Sequence, residues 1–205
     1  MKRNAVLTFI ALMIFVVGGI GAVLYRTNIQ FTHAASRKIA QQQPLNVLVI
    51  GTTHKGAKQA NMVLASINPS KQKTLLTVIP QNEQTIINGY RSNDEVQVAT
   101  AYNSGGVATA AQTIRELMRV PVDNYIVTDA ATGEKVVKTG SLKSIKAPIK
   151  TNLSKQKFQT VRKNYFDSAK VIDIQQLQGK EQNDLLVSTP REINIAQQGI
   201  KRVID

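Results

Sequence analysis

Apolar side chains fall along this chain in three kinds of pattern. The first is unbroken: from Ala5 to Tyr25 no charged residue interrupts a run of aliphatic, aromatic and small side chains. A helix of that length rises about 30 Å, the thickness of a bilayer's hydrocarbon core, and Tyr25 stands where an interfacial aromatic would. The second pattern is short and nearly continuous. Leu45 to Gly51, Met62 to Ile67 and Leu75 to Ile79 read as buried strands. The turn signal Asn68-Pro69-Ser70 joins the last two into a hairpin.

The third pattern has helical period. Beyond Gly105-Gly106, the residues Val107, Ala110, Ala111, Ile114, Leu117 and Met118 recur on one face, with Gln112, Arg115 and Glu116 between them. Val120-Pro121-Val122-Asp123 stops this helix, and Asn124 to Thr128 reads as the next strand. Thr189-Pro190-Arg191-Glu192 carries a complete helix start: a threonine cap, proline in the first turn and glutamate placed for a capping box. Ile193, Ala196, Ile200 and Val203 then share a face. Residues 139–188 are basic and ambiguous, apart from a helix predicted around Ser154 to Tyr165.

These patterns divide the chain into a cytoplasmic N-terminus (1–4), a transmembrane anchor (5–25), a linker (26–44) and one mixed α/β domain (45–205). Lys2 and Arg3 beside the apolar run favour an N-terminus on the cytoplasmic side, which leaves the domain outside the cell membrane. A cleaved signal peptide is the alternative, since small residues follow at Thr32 to Ser36, but the run exceeds an ordinary signal-peptide core. The linker has few core-type side chains after Phe31 and reads as a spacer.

Composition narrows the chemistry. A chain of 205 residues holds one domain plus an anchor. The absence of cysteine removes disulfides, thiolate nucleophiles and cysteine metal sites together. With only His33 and His54, and thirteen acidic residues that do not cluster along the chain, no metal site is expected. No Gly-x-Ser-x-Gly elbow or Walker-type phosphate loop is present. The net charge of +13 calls for anionic partners. For a domain outside the membrane these are lipid phosphates and wall polyanions, not nucleic acid.

From Asn46 onward, the order and spacing of segments resemble the LytR-CpsA-Psr family of bacterial cell-wall assembly proteins. Val49-Ile50-Gly51, Met62 to Pro69 and Leu75 to Pro80 look like the family's opening three-strand passage. Asn88-Gly89-Tyr90, Ala101 to Gly106, Val120 to Tyr125, Leu177-Gln178-Gly179 and Gln197-Gln198 follow in the family's order. The resemblance implies a mixed central β-sheet flanked by helices. It also implies a pocket for the polyprenyl tail and pyrophosphate of a lipid-linked glycan, and transfer of that glycan to peptidoglycan with a divalent cation such as Mg.

The family's charged residues are mostly replaced. Lys58-Gln59-Ala60-Asn61 stands where the family has Arg-Ser-Asp-Thr, and Gln81-Asn82 where it has Arg-Asp. Thr52-Thr53 and Ala99-Thr100 replace further polar positions. Ser188 and Pro190 fall near an expected arginine pair, and Ala196 stands where another arginine is expected. Guanidinium forks hold phosphate and carboxylates hold metal or take protons, so these losses point to a catalytically impaired relative that keeps a pocket for polyprenyl-phosphate lipid or wall polymer. Lys58, Arg91 and Arg191 are the candidate phosphate-binding residues, each readable also as a plain surface cation. Two alternatives stand beside this reading. One is an active phosphotransferase with a rearranged site built from Arg91, Asp94 and Glu95. The other is an accessory partner of an active family member, contacting it through the apolar stripe of the helix at 106–118.

Overall fold

The strand β1, Leu45–Thr52, is buried at all eight of its positions. The computed structural model describes residues 36–52, 61–85, 96–168 and 171–205. A strand buried on both faces needs a layer on each side of it, and the remaining elements supply them. β2 (Asn61–Asn68) and β3 (Lys73–Ile79) form the expected hairpin, paired from Met62↔Ile79 to Asn68↔Lys73. The short pair β4 (Gln84–Thr85) and β5 (Val96–Gln97) leads into α2, Val98–Met118. β6 (Asn124–Asp129), α3 (Ala130–Thr139), β7 (Lys150–Thr151), α4 (Lys155–Val161), β8 (Val171–Gln176), β9 (Lys180–Gln182), β10 (Leu185–Val187) and α5 (Pro190–Ile204) complete the order.

The main sheet runs β7-β6-β1-β2-β3-β8. β1 is parallel to β6, β3 is parallel to β8, and β2 is antiparallel to both β1 and β3. Four strands, β1, β3, β6 and β8, therefore point the same way. Alternate side chains divide the core in two. Leu48, Ile50, Met62 and Leu64 pack with Val107, Ala110, Ile114, Ala196 and Ile200 under α2 and α5. Val47, Val49, Val63 and Ala65 pack with Val136, Phe158, Val161 and Tyr165 under α3 and α4. This is the mixed central sheet flanked by helices that the sequence predicts.

Helix ends follow their sequence signals. α2 closes on Arg119 in the left-handed region (φ 50) before Pro121. It begins earlier than the apolar stripe predicts, at Val98, and is broken by Gly105-Gly106; Gly106 adopts φ 68 and ψ −153, a region essentially reserved for glycine. The apolar stripe of this helix is core, so it cannot be the partner-contacting face of the accessory reading. α5 has the full capping box of Thr189 and Glu192. The helix expected near Ser154 starts on that residue's cap and passes into a π-turn at Arg162–Phe166.

One expectation changes. The second half of the presumed spacer is packed: residues 36–40 are helical (α1), and Ile39, 4% exposed, joins the core beside α4. Lys38 Nζ lies 2.7 Å from Asp123, whose other carboxylate oxygen accepts from Asn46 N, and Tyr165 Oη donates to the carbonyls of Lys38 and Gln43. Burial, with Asp123 nearby, pushes the Tyr165 phenol up to about 12, so it stays a donor. A single apolar residue in a Gln-rich stretch gives no periodicity, which is why the pattern reads as a spacer. The proposed transmembrane run 5–25 lies outside the described residues, among which no helix is long and apolar enough to cross a membrane.

If residues 36–43 belong to the folded unit, Ile39→Ala should destabilise it by about 2–4 kcal/mol, the usual cost of emptying a buried aliphatic site. Thermal denaturation checks this; a spacer residue would leave the midpoint unchanged.

Candidate functional site

The carboxyl ends of β1, β3, β6 and β8 share one end of the sheet, the position at which open α/β sheets place their ligands. Several segments converge there. α3 follows β6 directly, with Asp129 as its cap, and Asp129 pairs in register with Thr52 at the end of β1. α2 starts at the same end, where Val98 N and Ala99 N donate to the carbonyls of Glu83 (2.8 Å) and Gln81 (3.1 Å). α5 starts there as well, because Ser188 N donates to Glu83 Oε1 at 3.3 Å. The helices approach closely through glycine: a Cβ on Gly133 would stand 2.8 Å from Gly51 Cα, so this strand–helix contact excludes any side chain.

At the centre of this end, Gln81 Nε2 donates to Asn61 Oδ1. The two residues come from the segments that in the family's pattern carry arginine and aspartate neighbours, and here they satisfy each other as neutral amides. Asn82, in the place of the family's aspartate, donates weakly to the Asp184 carbonyl (3.3 Å) and accepts from Leu186 N (2.8 Å), so the β9–β10 hairpin is fastened to the turn after β3.

Two carboxylates that sequence reading does not single out sit here. Asp129 accepts from Thr132 N and Oγ1, both at 2.8 Å, and these bonds hold its carboxyl below the usual range. It is ionised and committed to the helix cap. Glu83 is 1% exposed; one oxygen meets Ser188 N and the other, Oε2, is buried without a hydrogen-bond partner. Burial pushes its carboxyl up to about 7, opposed by the Ser188 bonds and assisted by nearby Glu192. Asp129 is hard to see in the sequence because the helix that follows it has too few apolar positions to announce itself. Nothing local marks Glu83, whose burial depends on residues about a hundred positions away.

Of the three candidate cations, Arg191 is exposed in the first turn of α5, at this end of the sheet. Lys58 and Arg91 lie outside the described residues, as do Asp94 and Glu95. The described residues that flank them in the sequence, Thr52 and Asn61, Thr85 and Val96, stand at this end. A magnesium ion takes about six oxygen ligands, usually including one or two free carboxylates. Among the described residues no three His, Cys, Asp or Glu side chains come together, Asp129 is spent on its cap, and Asn61 and Gln81 bond each other. The described residues do not fit the ion.

A model of the LytR_cpsA_psr family matches residues 23–139. The polyisoprenyl-teichoic acid–peptidoglycan teichoic acid transferase TagU of Bacillus cereus is 26% identical over 103 residues, 49% of this chain and 33% of that protein. The chain thus matches about a third of the length of this relative. A structure described as a transcriptional regulator from Enterococcus faecalis superposes with a TM-score of 0.66 at 18% identity, covering 81% of this chain and 89% of that one. The family protein YwtF (TagT) with bound octaprenyl pyrophosphate lipid superposes with a TM-score of 0.63 at 15% identity, covering 80% and 91%. At these identities the structural likeness establishes the fold.

Glu83 makes stability depend on pH at this end of the molecule. Its folded pKa lies above the ordinary value of 4.5, so the folded state binds the extra proton between pH 4.5 and about 7. Stability is complete below 4.5 and falls as pH rises through 7. Glu83→Gln should remove that slope and exceed the parent's stability at pH 8 by about 3 kcal/mol, with little difference at pH 4.5. Denaturant titrations at the two pH values check it; parallel profiles would show that Glu83 is not the titrating group.

Proposed function

The chain belongs to the LytR-CpsA-Psr family, and from that premise we propose that it is a membrane-anchored, extracytoplasmic binder of polyprenyl-pyrophosphate-linked glycan in cell-envelope assembly, impaired as a transferase. The observation that carries the impairment is the Gln81–Asn61 bond. Moving a glycan from a lipid pyrophosphate requires cationic stabilisation of the charge that builds on the phosphate oxygens, and a base for the acceptor's proton. A pair of neutral amides closed on each other supplies neither. Losing several kcal/mol of such stabilisation slows turnover by orders of magnitude, since about 1.4 kcal/mol is tenfold.

Binding asks for less. It needs an apolar lining for the prenyl tail and a few cations for the pyrophosphate. The likeness to a structure holding octaprenyl pyrophosphate supports the first, and the exposed Arg191, with Lys58 and Arg91 as further cations in the sequence, supports the second. The uncharged run from Ala5 to Tyr25 and the Lys2-Arg3 pair support anchoring with the domain outside the cytoplasmic membrane. Anionic wall polymer and peptidoglycan are the further partners this reading implies.

A second reading keeps the transferase. It is favoured by the adjacent acids Asp94 and Glu95 with Arg91 in the sequence between β4 and β5, two strands that stand at this end of the sheet.

The full chain in detergent, given a lipid-pyrophosphate-linked glycan and peptidoglycan with and without magnesium, separates the readings. We expect the lipid to raise the melting temperature, Arg191→Ala to reduce that rise, and no glycan to be transferred. Magnesium-dependent transfer lost in Asp94→Ala would establish the second reading. Neither stabilisation nor transfer would leave an accessory role.

A further inference from the structure

Charge is divided unequally between the two helical layers. Residues 130–166, which build the α3–α4 layer, include nine lysines and arginines and one acidic residue, Glu134. α2 and α5, which build the other layer, carry four cations and two acids. The apolar side chains of the α3–α4 layer, Val136, Leu142, Ile145, Phe158 and Val161, all turn inward to the sheet. Its lysines are what remains outside: Lys135, Lys143, Lys146, Lys150, Lys155 and Lys163 are exposed. Glu134 stands 3.9 Å from Lys138, and Asp129 and Asp167 lie at the ends of the layer, as the caps of α3 and of the turn after α4. Ile149, 47% exposed, lies between Lys146 and Lys150.

The N-terminal segment arrives on this same layer. Ile39 is buried in the α3–α4 half of the core, and Lys157 Nζ donates to Ser36 Oγ at 2.6 Å. Between Ser36 and the proposed span at 5–25 only residues 26–35 intervene, a stretch that reaches at most about 35 Å when fully extended. The cationic layer is therefore the one tethered toward the bilayer.

We propose that the outward side of the α3–α4 layer is a docking surface for anionic lipid headgroups of the membrane in which the chain is anchored. The proposal rests on the anchoring reading above. Lysines brought within a Debye length of the headgroups, about 8–10 Å, are attracted by the negative surface potential, and the tether keeps them near it. Ile149 adds an apolar side chain at the level where flanking lysines meet phosphate. A wall polyanion would match the same charge; the arrival of the N-terminal segment on this layer is what favours the membrane. Docking by this layer leaves the end of the sheet with Gln81, Asn61 and Arg191 at the flank of the docked domain, uncovered.

The test is lysine acylation footprinting of the full chain in nanodiscs of phosphatidylglycerol or of phosphatidylcholine. We expect Lys143, Lys146, Lys150, Lys155 and Lys163 to react at least about threefold more slowly on the anionic discs, with recovery at about 0.5 M salt, where screening is short-ranged. Lys73, Lys180 and Lys201 should react equally on both. The exposed double variant Lys146→Glu/Lys150→Glu should lose the difference between lipids while keeping the parent melting temperature. A chain that co-elutes with the discs but reacts equally on both lipids would overturn the docking surface and leave the anchor standing. A chain not retained by the discs would overturn the anchoring reading and the proposal with it. Protection produced by soluble poly(glycerol phosphate) but not by anionic discs would assign the surface to a polymer instead.

Discussion

Burial of β1 and β2 on both faces is the constraint from which the architecture follows. Fifteen of their sixteen positions are buried, so the sheet is stable only between two helical layers. Covering both faces of a sheet whose β1, β3, β6 and β8 run in one direction sends the connections to its two ends. Three helices, α2, α3 and α5, start at the carboxyl end. The opposite end is closed by a different device, in which Asp123 joins Lys38 to the backbone of Asn46, and Asn46 bonds Ser66 and the Pro121 carbonyl. One end is locked by charge and hydrogen bonds to the incoming N-terminal segment. The other holds the loops.

At that loop-bearing end the described side chains are mostly neutral amides and carboxyls engaged with the protein itself. The helix starts are largely occupied by the protein's own acceptors: α2 by the Gln81 and Glu83 carbonyls, α3 by Asp129, and α5 by Thr189 and Glu192. These bonds position the turn after β3 and reduce what the helix ends can offer a phosphate. Glu83 lies beneath the turn, joined to α2 through its carbonyl and to Ser188 through its carboxyl. A carboxyl that changes charge near neutrality at such a junction couples the packing of the site to pH. The cationic α3–α4 layer belongs to a separate face.

Much of the scaffold was legible because its signals are local. Continuous apolar runs marked β1, β2 and β3, Asn68-Pro69-Ser70 marked the hairpin, and Thr189 to Glu192 marked α5 down to its capping box. Elements whose identity comes from packing were not legible: α3 has only Val136, Val137 and the inward Gly133 to define a face, and β7, β9 and β10 are two or three residues each. The replacements Gln81, Asn82 and Asn61 were legible because the apolar frame on either side holds their register, whereas of the candidate cations Lys58, Arg91 and Arg191 only Arg191 lies among the described residues. That Gln81 and Asn61 would bond each other, and that Glu83 would be buried, depends on contacts between distant segments that no local pattern encodes.

The most direct measurement of the central claim is photo-crosslinking of the full chain with a polyprenyl pyrophosphate that carries a photoreactive group beside the phosphates, followed by peptide mapping. A ligand held at the carboxyl end of the sheet should label the segments that meet there, residues 81–85, 96–102, 129–133 and 188–192, and free prenyl pyrophosphate should compete the label away. Competed labelling confined to the Asp123 end of the sheet, or to the outer side of the α3–α4 layer, would contradict that assignment of the site.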